Sequence, residues 1–443
     1  MKFIATSVLS LAAASLGAAV PSIKANSVTF SQDEGTRLVT ISYELENAPA
    51  IVTVDIQTNG VSIGAENFRD LGGDVNMKVI AGKHQITWQP LVEWPSAPQH
   101  LRAQNAKAVV KAWACDDPPP YVIVDLAAEK TYRFYSCAEA IPGGLTNNAS
   151  YKMDKLVMRR IPAKNVTWRM GTPSNERGTS DAIHPSEIPH YVMLTNDYYM
   201  GVFEFTFKQL QHITTTTFFN AVTKTPTTDY DTYPATMLTI IDLRGNNTGT
   251  PGSGAGTTLP DDLDEVHANS LLNCLRTLTG LKFNVPSEAQ WEYACRAGTS
   301  TGFSNGREAT GWAAIDDYAW TYNNAGGVIH PVGLKLPNPW GLYDMHGNAD
   351  EYTLDGWKQG DEYVATFGAN YQPGDTVVEP RDGSVGSDVL YEGRPQIYRV
   401  TRGGRYKEDN VGRYRSGYRW HIEAFNITRT TSRGFRVVCP ATF

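Results

Sequence analysis

Asp344 and Glu351 stand on either side of a glycine in the run Asp344-Met-His-Gly347-Asn-Ala-Asp-Glu351. Two carboxylates flanking a turn that can aim carbonyls inward offer hard oxygen ligands, the kind Ca²⁺ takes. The competing use of both side chains is simple turn capping. A second concentration of chemistry lies between 405 and 433, a stretch dense in Arg, Tyr, Trp, His and Asn. There Arg405, Tyr406, Tyr414, Arg415, Tyr418, Arg419, Trp420 and His421 would form an aromatic and cationic recognition surface. Guanidinium groups pair well with sulfate-like anions, so a sulfated glycan is one candidate ligand. The competing reading is a core of rings with Arg paired inside the fold.

The other reactive residues fall in no catalytic pattern. The nine His show no tight ligand spacing, and His190, His346 and His421 have no evident His partner. Nucleophile-elbow, HExxH and P-loop patterns are lacking. The glycines of Asn246–Thr258 are not set between a strand and a helix, so they read as a flexible loop. Five Cys in 443 residues are too few for a cysteine-dense scaffold. Cys115 and Cys137 fall on or beside expected strands, and a disulfide between them suits an exported chain.

These residues need elements to hold them. Residues 26–137 read as an all-β domain of short alternating runs such as Arg37–Leu45 and Ile51–Ile56, separated by turns, which is the pattern of a β-sandwich. Residues 138–154, with Pro-Gly-Gly, read as a linker. A second domain, 155–443, opens with strands near Met158–Ala163, Thr167–Met170, His190–Leu194 and Tyr198–Phe205. Capping boxes start helices at Thr206 and Ser287, and a further helix is expected over Leu263–Leu278 with Gly280 as its stop. Trp291 and Tyr293 on the Ser287 helix read as core. From Thr299 onward the chain is loops and short strands, which need a metal, disulfides or dense side-chain hydrogen bonding to hold them.

Residues 1–25 have the layout of a secretory signal: Lys2, an apolar run to Val20, and a cleavage site after Ala25 or near Ala19. The mature protein is then expected to be secreted, periplasmic or at the cell surface, with no stable membrane span after cleavage. The chain has 39 basic and 46 acidic side chains, a net charge of −7. That balance gives no field for nucleic acid. An apolar fraction of 41% with 11% aromatics excludes a disordered chain.

Four segments, in order, resemble the formylglycine-generating enzyme (sulfatase-modifying factor) family over about residues 155–440. They are Met170-Gly-Thr-Pro173 with Glu187-Ile-Pro-His190, then Val285 to Gly298, Asn338 to Glu351, and Arg402-Gly403-Gly404 closing on Gly434-Phe-Arg436. The resemblance implies an α+β chain, with a loop-rich variant of the C-type-lectin fold following the β-sandwich. It implies structural calcium held by the Asp344 carboxylate, the Gly347 and Ala349 carbonyls and the Glu351 carboxylate, and a second calcium near Ala314–Tyr322 where Asp316 and Asp317 lie. It also implies a structural disulfide, Cys274–Cys439, with Cys295–Cys439 as rival and Cys295 otherwise a buried thiol. The family's oxidase uses two cysteines just after Arg-Gly-Gly to bind Cu(I). The run Arg405 to Arg419 has none, the family's Trp is here Asp350, and the small residue after Arg-Gly-Gly is Arg405. The expectation is a pseudoenzyme that recognises a protein or glycan and binds no copper. The alternatives are a sulfatase-modifying oxidoreductase converting a substrate cysteine to formylglycine, or another activity on the same scaffold.

Overall fold

The computed structural model describes residues 20–443 except 95–100, 102–104, 173–186, 215–229, 246–261, 269, 359–362, 365–366, 368–371, 373, 382–389, 392–393, 396–397 and 424–428. Most of the expected signal segment (1–19), the Asn246–Thr258 loop and Pro173 lie outside the described residues. Two units are present, Met1–Ile63 with Leu71–Cys115, and Gly64–Asp70 with Asp116–Phe443.

In the first unit, Val39–Glu46 alternates buried and half-buried residues along its length. Val39, Ile41, Tyr43 and Leu45 are the buried set, as period-two geometry requires of a strand with one face in a core. This strand is paired by Gly82–Trp88 and Thr29–Gln32 in a five-stranded sheet. Ser22-Ile23 adds a short strand against Leu45-Glu46. Ala50–Thr58 centres a second, four-stranded sheet with Ala106–Trp113 along its full length.

The expected domain boundary is too late. Tyr121–Asp125 and Tyr132–Tyr135, read as the end of the first domain, belong to the second unit. The cause is pairing: Tyr121–Asp125 runs in continuous antiparallel register with Lys155–Arg159. The expected linker is also packed. Ile141 and Tyr151 are buried in one apolar cluster, and Asn148 caps the 3₁₀ turn Ala149–Lys152 by accepting from Ser150 N. Gly143 and Gly144 supply a tight turn, not a hinge between domains.

In the second unit the main sheet has the order Tyr132–Tyr135, Tyr121–Asp125, Lys155–Ile161, Tyr198–Gly201, Val438–Pro440. A three-stranded sheet joins Val166–Met170, His190–Leu194 and Thr376–Val378. A four-stranded sheet orders Trp420–Glu423, Tyr398–Arg402, Asp350–Gly356 and Arg433-Gly434. The capping boxes at Thr206 and Ser287 start helices Phe207–Ile213 and Glu288–Arg296. The third helix is shorter than expected, Leu271–Thr279, because Ser270 is its N-cap; Gly280 ends it in the left-handed conformation. Trp291 and Tyr293 are core, packed with Met170, Val192, Leu194 and Met345.

Candidate functional site

The four-stranded sheet brings two of the four sequence segments together. Glu351 lies opposite Arg402 on one side and opposite Gly434 on the other. Beside it the Glu288 helix presents a buried ion-pair network. Arg402 is fully buried and donates to Glu288 at 3.2 Å, to Glu292, and to the Ser416 and Gly417 carbonyls at 2.8 and 3.3 Å. Arg419 forks onto both oxygens of Glu288, at 2.5 and 2.8 Å. Arg296 pairs with Glu292 one turn away at 2.8 Å. Burial works against an ionised Glu288, but Arg419 and Arg402 hold its carboxyl below the usual range. Gly403 and Gly404 follow Arg402 with φ of +99° and +73°, which turns the chain under Tyr414. A cavity of only about 30 Å³ touches His190, Glu288, Asp355 and Arg419, room for about one water.

The Arg405–His421 surface splits in two. Tyr406, Tyr414, Arg415 and Arg419 are buried, so they are not the recognition residues the sequence suggested. Arg415 pairs with Glu187 at 3.2 Å, and the Tyr406 hydroxyl meets Thr431 at 3.3 Å. What faces outward is half-buried Arg405, Tyr418 and His421, with Trp420 exposed. The in-out alternation from Tyr418 to Trp420 is that of extended chain entering a strand. Tyr418 and Trp420 have ring centroids 6.4 Å apart and planes within 18°. Arg413 lies over the Trp420 ring at 5.5 Å, and His421 is flanked by Trp357 and Trp420 at 4.6 and 5.3 Å.

Cys295, His346 and Ser416 meet in a way that imitates a nucleophile with its base. Cys295 Sγ is 3.6 Å from Ser416 Oγ and 3.7 Å from His346 Nε2. Burial pushes the thiol up to about 12 and the imidazole down to about 4. Burial thus disfavours both the thiolate and the imidazolium. His346 donates from Nδ1 to the Tyr414 carbonyl at 2.8 Å and accepts at Nε2 from Ser304 N at 3.1 Å. This locks a neutral tautomer. Since unfolded His346 titrates near 6.5, its contribution to stability is complete above that pH and declines as pH falls toward about 4, by up to about 3 kcal/mol. The measurement is urea unfolding across that range, with His346→Gln as reference. The reference matters because burial pushes Asp344 up to about 6, so it titrates in the opposite sense over the same window. A parallel pH profile in the variant rejects this assignment.

Residues 166–441 match the family described as the sulfatase-modifying factor enzyme 1-like domain. The chain belongs to this family. Solved structures similar to it include Treponema denticola variable protein 1, with 23% identity, covering 65% of this chain and 95% of that one, at a TM-score of 0.43. PvdO from Pseudomonas aeruginosa has 24% identity, covers 64% and 94%, and has a TM-score of 0.40. CarF has 16% identity, covers 63% and 99%, and has a TM-score of 0.33. No protein of curated function matches.

The metals implied by the resemblance can be set against the sulfatase-modifying factor domain's own residues. Glu351 is not open to a calcium ion: Arg436 forks onto both its oxygens, the shortest contact being 2.8 Å, and Trp291 Nε1 donates to it at 2.7 Å. Asp344 accepts from Gly333 N through one oxygen, and its other oxygen is buried without a partner. The second nearby carboxylate is Glu204, which the sequence did not single out. It accepts from Ala349 N at 3.0 Å and Asn348 Nδ2 at 2.7 Å, and burial beside Asp344 and Glu351 raises its carboxyl well above the usual range. Among the described residues no three His, Cys, Asp or Glu side chains are grouped to hold a metal. In the expected shell of Asp344, Gly347, Ala349 and Glu351, Glu351 already serves as the counter-ion of Arg436, while one Asp344 oxygen is left without a partner. Asp316, expected near a second calcium, accepts instead from Thr321 and Asn323 and organises its own loop.

Cu(I) is held by pairs of soft thiolates, and Cys295 is a buried thiol beside His346 and Ser416. All five cysteines are free. The expected bridges Cys115–Cys137 and Cys274–Cys439 are thus not formed. Cys439 is buried in the edge strand of the main sheet while Cys274 is exposed on its helix. Glu288, Glu292 and Glu204 are not site candidates from the sequence, and Arg436 enters there only as the end of the Gly434-Phe-Arg436 motif. A further signal is the charged Glu288, Glu292, Arg296 series at helical spacing, on a helix otherwise read as core.

Proposed function

We propose that this protein is an exported sulfatase-modifying factor domain that recognises a ligand and does not oxidise cysteine. The observation that carries the reading is the outward face of Tyr418, Trp420 and His421 with Arg413, aromatic rings left at the surface beside a rigid ion-paired base. Exposed aromatic and Arg side chains on a preorganised support are the usual anchors of recognition. Trp420→Ala is expected to weaken ligand binding at least tenfold while leaving the melting temperature unchanged, measured on arrays of glycans and candidate protein ligands. Equal binding by parent and variant removes this face from consideration. Oxygen uptake with copper and a cysteine-containing sulfatase peptide should show no turnover; turnover favours the oxidoreductase reading.

Export follows from the signal-like start. The pairing of Ser22-Ile23 with Leu45-Glu46 supports processing near Ala19, since cleavage after Ala25 would strip that strand. Mass spectrometry of the exported chain is expected to place its first residue at Val20. A start at Asn26 rejects that site.

A further inference from the structure

Resting on the recognition reading above, we propose that the Tyr418–Trp420 platform takes the apolar face of an uncharged sugar. Glu408 is then the residue that turns away sulfated and carboxylated ones. Two rings 6.4 Å apart with planes 18° from parallel form a near-parallel pair, not a crossed one. A pyranose carries C–H groups on its faces and hydroxyls at its rim. Its face gains hydrophobic and dispersion energy against a flat ring, and the rim is left for polar neighbours.

Those neighbours are Arg405, Glu408 and Arg413. Two guanidinium groups beside an aromatic platform would suit sulfate if they lacked an anion of their own. Both are held by Glu408, at 3.5 Å from Arg405 and 2.7 Å from Arg413. Arg413 lies over the Trp420 ring at 5.5 Å, and the charges of Arg413, Glu408, Glu187 and Arg405 act on the Tyr418 hydroxyl. The remaining guanidinium groups of the segment, Arg415 and Arg419, are buried against Glu187 and Glu288. A sulfate entering here competes with Glu408 for the two guanidinium groups it shares and meets its carboxylate. An uncharged sugar leaves both ion pairs in place. A repulsive group that penalises the wrong ligand is a direct route to specificity.

The test is isothermal titration of the full chain with neutral oligosaccharides found on an array and with a heparin oligosaccharide. Wild type is expected to bind neutral sugar in a Trp420-dependent way and to bind heparin at least tenfold more weakly. Glu408→Gln is expected to raise the heparin-to-neutral affinity ratio at least tenfold. Should that variant misfold, the wild-type preference alone still decides. Tighter heparin than neutral binding, lost in Trp420→Ala, overturns the sugar assignment and keeps the recognition reading. So does a Trp420-dependent protein ligand with a blank glycan array. Neutral binding indifferent to Trp420→Ala overturns the platform. No Trp420-dependent ligand of any class overturns the recognition reading itself.

Discussion

Arg402→Met is expected to lower folding stability by about 3–5 kcal/mol, read from urea unfolding of the second unit. Methionine keeps most of the stem volume, so the loss reports charge and hydrogen bonds and not a cavity. Arg402 answers Glu288 and Glu292 and satisfies two carbonyls of the Ser416 turn, and all three charged side chains are buried. Removing it leaves Arg296 and Arg419 to balance Glu288, Glu292 and the nearby Asp355, which accepts from Glu288 N. Breaking a buried ion pair from one side strands the other charge, which is why the cost exceeds that of an exposed pair. Lysine is a poor substitute because it lacks the planar fork. A loss below about 1 kcal/mol contradicts this account.

Arg436→Met is expected to be the most damaging single change, with a melting temperature lower by about 10 °C or failure to fold. Arg436 is fully buried, forks onto Glu351, and donates to the Gly201 and Tyr343 carbonyls at 2.7 and 2.8 Å. Without it three buried carboxylates, Glu204, Asp344 and Glu351, keep, among the described residues, the charge of Lys152, which acts on Asp344. The same arithmetic bears on calcium. If Arg436 and Lys152 balance this cluster, a chelator should move the wild-type melting temperature by no more than about 2 °C. A fall of many degrees on chelation, reversed by added calcium, would restore a metal to Asp344 and the Gly347–Ala349 turn.

Local signals were legible where the chain acts on its nearest neighbours. Thr206 and Ser287 start helices because each caps its own third residue, and the matching Gln returns the bond within four positions. Val39–Glu46 reads as a half-buried strand from its alternation alone. Ser270 caps the third helix several residues after the Leu263 start that its pattern predicts. The Tyr121–Asp125 strand is legible as a strand, but its partner in the second unit is not, since alternation says nothing about which strand becomes its neighbour.

By itself, then, the sequence determined the family, the two-part β-rich organisation, the capped helices and the absence of a cysteine pair after Arg-Gly-Gly. Tertiary structure alone decided which charges meet. Glu351 faces Arg436 across 85 positions and Arg419 faces Glu288 across 131. Such pairs are set by sheet register and by the cost of burying a lone charge, neither of which leaves a local pattern. The same two forces turned Arg419 inward and left Trp420 at the surface.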